Sequence, residues 1–172
     1  MKVGLVHIYT GDGKGKTTAA VGLAARAAGW GLRVMFAQFL KGRPTGELEP
    51  LRKLGVDVVR GESVTKFIPY MTTAEKEECR RTQHEVLQNV KSGIKNYDVV
   101  ILDEVFGAIS SGMIEEDEVL SLIETKPEGT EIVMTGRGAS KSFLALADYV
   151  SEIKAVKHPY DRGMGARKGI EY

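Results

Sequence analysis

At 172 residues the chain reads as one domain, long enough to bury a full sheet core, and no second domain needs to be invoked. With 24 Lys and Arg against 23 Asp and Glu, the net charge of +1 leaves no global electrostatic footprint for nucleic acid. Cys79, the only cysteine, excludes an intrachain disulfide and a cysteine-only metal site, and no apolar run approaches the length of a membrane span.

Residues 3–9 form an apolar run that reads as a buried strand without a charged leader, and residues 19–28 read as a helix rich in small side chains. Between them lies Thr10-Gly11-Asp12-Gly13-Lys14-Gly15-Lys16-Thr17-Thr18. Strand, glycine loop, lysine, hydroxyl and helix together describe a phosphate cradle. Glycines let successive backbone N–H groups turn inward, and the helix N-terminus adds free amides and the positive end of its dipole. Lys16 would reach the phosphates, and the Thr17 hydroxyl would ligate magnesium. Against the signature G-x-x-x-x-G-K-[ST], the first position is Thr10 and not glycine. The variant with an extra signature lysine is excluded, because Gly11 stands where that lysine would be. The competing reading is an ordinary glycine-rich strand-to-helix turn.

A second strand, residues 34–39, is apolar almost throughout, as suits a parallel strand covered on both faces. The loop 40–46 follows at its C-terminal end, where open α/β sheets bind ligands, so Lys41, Arg43 and Glu47 are placed to face a substrate. They read equally well as a solvated basic loop. A short helix over 47–54, a third strand over 56–60 and an irregular loop over 61–73 come next. That loop carries Phe67, Ile68, Pro69, Tyr70 and Met71, which either tuck under as a minor cluster or line a site for a flat apolar ligand. A long helix begins at Thr72/Thr73 with acids at its positive end. Its stripe Cys79, Val86, Val90 makes the cysteine a small core residue rather than a reactive thiol, and His84 has no second metal ligand at i±4.

Val99-Val100-Ile101-Leu102-Asp103-Glu104 is an apolar strand that delivers two carboxylates. Beside a phosphate loop such a strand holds magnesium or its water shell, with Asp103 suited to the metal and Glu104 to a direct or outer role. A helix over 115–125 has Glu115-Glu116-Asp117-Glu118 at its start, more simply a dipole-satisfying turn than a metal cluster. The strand 130–134 runs into Thr135-Gly136-Arg137-Gly138, which sets Arg137 on the rim of the loop, to fork onto triphosphate oxygens or to pair with a neighbouring acid. A short helix over 141–147 and a last strand over 149–156 precede a basic, glycine-rich tail, 157–172, whose aromatics and His158 argue for docking near the rim.

Taken together, these residues resemble the ATP:corrinoid adenosyltransferases, a P-loop family. The resemblance spans almost the whole chain: the loop through Ala20, Gln38-Phe39-Leu40-Lys41-Gly42, residues 100–104, Thr135-Gly136-Arg137-Gly138, and the run from Ala147 to Tyr172. It implies a RecA-like α/β fold, a mostly parallel sheet with helices on both faces, in a cytoplasmic homodimer. It further implies transfer of the 5′-deoxyadenosyl group of ATP to the Co(I) of a reduced corrinoid, with Mg²⁺ or Mn²⁺ and a flavoprotein reductant such as a flavodoxin. On this reading Thr10, Gly11, Asp12, Gly13, Lys14, Gly15, Lys16, Thr17 and Thr18 bind the phosphates and Lys16 and Arg137 stabilise the leaving triphosphate. Thr17, Asp103 and Glu104 hold the metal, and Lys41, Phe67 and Tyr70 lie on the corrinoid side.

Two departures stand out. Family members carry an N-terminal extension that lids the site, whereas Met1 stands two residues before the first strand, so closure is expected from elsewhere. The aromatic pair against the corrin includes a tryptophan in the family, whereas the matching loop here offers Phe67 and Tyr70. Two other functions compete: a P-loop small-molecule kinase and a RecA-like ATP-dependent binding module.

Overall fold

The computed structural model describes residues 3–61 and 66–172. Six strands form one sheet: β1 (Val6–Thr10), β2 (Val34–Gln38), β3 (Asp57–Arg60), β4 (Val99–Asp103), β5 (Glu131–Thr135) and β6 (Tyr149–Glu152). Every pairing is parallel and the order is β3-β2-β4-β5-β1-β6. All C-terminal strand ends therefore share one rim, and β5 separates the loop strand β1 from the acid strand β4. This is the RecA-like arrangement expected of the chain.

Side-chain alternation divides the core in two. Val99 and Ile101 of β4 and Val34 and Phe36 of β2 pack with α1 (Lys16–Gly29) and α2 (Leu48–Lys53). Val100 and Leu102, with Met35 and Ala37, join the opposite cluster with α3 (Thr73–Gly93), α4 (Val105–Ser110), α5 (Glu116–Glu124) and α6 (Lys141–Leu146). Both faces of the central strands are thus covered, which is why their sequences are apolar without a polar alternate. Ala20, Ala24 and Ala27 are the buried residues of α1, and their small size lets its backbone approach the sheet. The helix α3 begins with a capping box in which Glu75 N–H donates to the Thr72 hydroxyl and Thr72 N–H to the Glu75 carboxylate. Lys66 and this cap hold the Glu75 carboxyl down at about 2. Cys79 lies buried on the inner stripe, where burial pushes its thiol up.

Four local differences from the sequence expectations have physical causes. The first strand begins at Val6, because Gly4 is pressed against the backbone of Thr130 and bonds to Glu128 instead of the ladder. The first helix begins at Lys16, because the loop ends at Gly15, whose φ of 124° only glycine adopts comfortably. The helix α4 was not expected; within it a Cβ at Gly107 would come within 2.9 Å of the Glu104 carboxylate, so glycine lets that side chain lie against the helix. The last strand stops at Glu152 because the backbone of Ile153 turns to the phosphate loop, accepting from Gly13 N–H at 2.7 Å.

Candidate functional site

The loop between β1 and α1 is fixed from below. Ile153 N–H donates to Thr10 O at 2.8 Å, and a Cβ at Gly11 or Gly13 would lie 2.5 or 2.7 Å from the Ile153 carbonyl oxygen. These two glycines are therefore required by a backbone that passes beneath the loop. Above it, Lys16 Nζ donates to Gly11 O at 2.6 Å and Gly13 O at 2.8 Å. The ammonium is thus parked in the mouth of the cradle, on carbonyls that a phosphate would replace. Burial lowers its pKa first, Arg137 lowers it further, and Glu104 and Asp12 act in the opposite sense.

The two acids at the end of β4 have unlike surroundings. Asp103 is wholly buried; Thr135 Oγ1 donates to its Oδ1 at 2.8 Å, and Gln38 Nε2 and Lys41 Nζ donate to its Oδ2 at 3.2 and 3.4 Å. Glu104 lines the cleft above the loop. Its backbone takes the left-handed conformation at φ 61°, uncommon for a residue with a side chain, and its N–H donates to Thr135 Oγ1 at 2.9 Å. Burial raises the Glu104 pKa and Asp103 beside it adds to the effect, while Lys41, Lys16 and Arg137 counter it. Arg137 also lines the cleft, with its Nε 3.5 Å from Asp12 Oδ1 and its side chain 69% exposed, so the pairing leaves the guanidinium accessible.

The cleft measures about 540 Å³, within the range of small-molecule sites. The structure brings Asp12, Gly13, Lys14, Gly15, Lys16, Thr17 and Thr18 to it, with Lys41, Glu47, Glu104 and Arg137. Thr10, Gly11 and Asp103 are set behind this lining and shape it through backbone and hydrogen bonds. The tail docks on the rim, where His158 and residues 169–172 form part of the wall. A second hollow of about 160 Å³ shares Lys41 and includes Phe67 and Lys66.

In the loop that precedes α3, the two readings of its apolar residues divide by residue. Ile68 and Met71 pack against the core, while Phe67 is 78% and Tyr70 79% exposed. Phe67 borders the second hollow, and Tyr70 lies on neither cavity. Residues 62–65 of the expected loop lie outside the described residues.

Sequence reasoning assigned no role to Gln38 or Thr135. Each is a polar residue ending an apolar strand, and that position was the available signal. Gln38 Nε2 also donates to Glu47 Oε1 at 2.9 Å, so this one amide ties the loop after β2 to the acid strand.

Fold and site define a P-loop nucleotide-binding α/β protein. The family model for "ATP:corrinoid adenosyltransferase BtuR/CobO/CobP" matches residues 2–172, and the chain belongs to that family. It is 37% identical over 172 residues to the corrinoid adenosyltransferase of Escherichia coli, covering 98% of this chain and 86% of that one. The Salmonella typhimurium enzyme of the same name is 38% identical over 172 residues with the same coverage. The corrinoid adenosyltransferase of Pseudomonas aeruginosa is 35% identical over 175 residues, covering 98% of this chain and 84% of that one. A solved KaiC-like protein from Pyrococcus horikoshii aligns with 88% of this chain and 72% of its own at a TM-score of 0.49 and 17% identity, too remote to bear on activity.

Proposed function

We propose that the cleft binds ATP and that the chain transfers its 5′-deoxyadenosyl group to the Co(I) of a corrinoid. The observation that supports this reading is the sharing of Lys41 between the phosphate cleft and the hollow edged by Phe67, two adjoining hollows as two substrates that react together would need. The cobalt electron pair attacks C5′, a Co–C bond forms, the C5′–O bond breaks with its electrons on the triphosphate, and cobalt passes formally from +1 to +3. The nucleophile is the substrate's own cobalt, so the protein need not supply a base. Its work is to align C5′ and to stabilise charge on the leaving triphosphate. Lys16, Lys14, Arg137 and the amides of the loop are the groups on the cleft suited to that charge.

A divalent cation fits the donor set. Thr17 and Glu104 present hard oxygen ligands to the cleft, and no group of three or more His, Cys, Asp or Glu among the described residues could hold a metal alone. That matches Mg²⁺ or Mn²⁺ held by one or two protein oxygens and by triphosphate. Glu104 and Thr17 would hold it, and Asp103, committed to Thr135, Gln38 and Lys41, would act from behind. When bound, the cation neutralises triphosphate charge.

Phe67, exposed at the edge of the second hollow, would pack on the corrin and displace its lower axial ligand, which makes Co(II) reducible by a flavoprotein such as a flavodoxin. Tyr70 is its neighbour on the same exposed turn. The reading includes a homodimer in the cytoplasm. Among the described residues no helix is long and apolar enough to cross a membrane, and the lone cysteine suits a reducing compartment.

The test is anaerobic: chemically reduced cobalamin, ATP and metal are mixed, and the cob(I)alamin absorbance and the phosphorus products are followed. Loss of that absorbance with stoichiometric triphosphate is the expected result. Release of ADP with transfer of the γ-phosphoryl group to a small acceptor would make the protein a kinase, and ADP with phosphate, stimulated by a macromolecule, a binding module.

A further inference from the structure

Three polar residues stand in a row across the C-terminal ends of neighbouring strands. Arg60 of β3 is in register with Gln38 of β2, and Gln38 with Asp103 of β4. Residues in register on adjacent strands point to the same side of the sheet, so the row makes one polar bed under the loop that follows β2. Each member of the row holds that loop. Asp103 accepts from Lys41 Nζ, and Gln38 donates to Glu47 at the loop's end. The Arg60 guanidinium grips backbone: its Nη2 donates to the Lys41 carbonyl oxygen and, at 2.9 Å, to that of Arg43.

Helix α3, on the opposite face of the sheet, grips the same loop a residue earlier. Gln83, only 1% exposed, accepts from Leu40 N–H through Oε1 at 2.9 Å. Leu40 takes φ 58°, a conformation uncommon for a residue with a side chain, which persists only where its surroundings hold it. Gly61 brings the two grips close: a Cβ there would collide with Thr82 Cγ2, so glycine lets the chain leaving β3 cross α3 beside Gln83. Neither Arg60 nor Gln83 lines the phosphate cleft or the hollow edged by Phe67, whereas Lys41 lines both.

We propose that Gln83 and Arg60 are positioning residues for Lys41: gripping the loop backbone on either side of its side chain, they hold its ammonium at the junction of the two hollows, where both substrates meet it. The inference rests on the two-substrate reading above and adds residues that touch neither substrate.

Double-mutant cycles on the full chain test it, with anaerobic initial rates of cob(I)alamin consumption measured over a range of ATP and of cob(I)alamin. Lys41→Ala should lower kcat/KM about tenfold, and Gln83→Met and Arg60→Met, which remove a grip but keep the bulk, about fivefold each for both substrates. In the Lys41→Ala background the same two substitutions should cost less than about twofold, because the group they place is gone. A residue that only supports the fold lowers activity by the same factor whether or not Lys41 is present, so additive losses would overturn the proposal. Full activity in Lys41→Ala would overturn it too, since nothing would remain to be positioned. Gln83 is buried and its loss strands the Leu40 N–H; should Gln83→Met melt below the assay temperature, the cycle with Arg60, on the edge strand, decides alone. Wild-type protein that leaves cob(I)alamin unconsumed in the presence of ATP would remove the two-substrate reading itself, and this proposal with it.

Discussion

The two halves of the rim are built differently. On the phosphate side several groups are already engaged: Lys16 on two loop carbonyls, Asp103 on three donors, Gly11 and Gly13 against the Ile153 backbone. On the side of the second hollow, Phe67 and Tyr70 stand about four-fifths exposed on a short turn anchored beneath by Ile68 and Met71. The proposed function accounts for the contrast. A triphosphate is small and highly charged, and fixed dipoles stabilise it only if they are oriented beforehand. A flat, largely apolar partner gains instead from uncovered apolar surface. Stability and catalysis should therefore respond together on the first side and separately on the second.

The largest effect is expected at Lys16. Lys16→Ala removes the ammonium from the cradle and should lower kcat/KM by roughly a hundredfold or more, about 3 kcal/mol of transition-state stabilisation. Activity within threefold of wild type would break the phosphate-side assignment. Next comes Gly13→Ala, where the added methyl meets the Ile153 carbonyl oxygen at 2.7 Å and the Lys154 carbonyl carbon at 2.8 Å. Backbone cannot yield as a flexible side chain would, so ATP should bind about tenfold more weakly and the fold lose about 2 kcal/mol, read by titration and by denaturant melts. A variant with weakened ATP and full stability would show a loop less tied to the fold than the structure implies.

Phe67→Ala sharpens the comparison from the other side. Its stability should be unchanged within about 0.5 kcal/mol, since the side chain is exposed. Activity should fall about tenfold when a flavoprotein reduces Co(II) in place, and by less than about twofold with Co(I) formed beforehand, because the nucleophile then arrives ready-made. Equal losses in the two assays would leave Phe67 as a positioning residue for the corrinoid only.

The smallest effect is expected at Glu104. Its folded pKa lies above the ordinary 4.5, so its ionised form costs stability that the unfolded chain does not lose. Stability should be fully present below about pH 4.5 and decline as pH rises through the elevated folded value. Glu104→Gln, melted without metal or nucleotide, should therefore gain roughly 2 °C at pH 7, with the gain closing toward pH 4. The same variant should need more metal for half-maximal activity. A gain that persists undiminished at pH 4 would assign it to packing rather than to charge.

The local signals carried far in this chain. The glycine pattern from Gly11 to Gly15 points to a cradle because positive φ and close backbone approach favour glycine, and the apolar run ending in Asp103 and Glu104 reads as a covered strand with acids at its end. The glycine motif and the apolar runs thus pointed to the loop and the place of the acids, while the RecA-like sheet was what the family resemblance implied. They could not determine which acid opens to the cleft, because that depends on Thr135 and Gln38, which lie 32 and 65 residues away from Asp103 in sequence. Nor could they show that Ile153 underlies the loop, which follows from β6 pairing with β1, although the docking of the tail near the rim was legible in its aromatics and His158. Backbone chemistry is written residue by residue, whereas strand order and the meeting of distant side chains are settled only when the whole sheet closes its core.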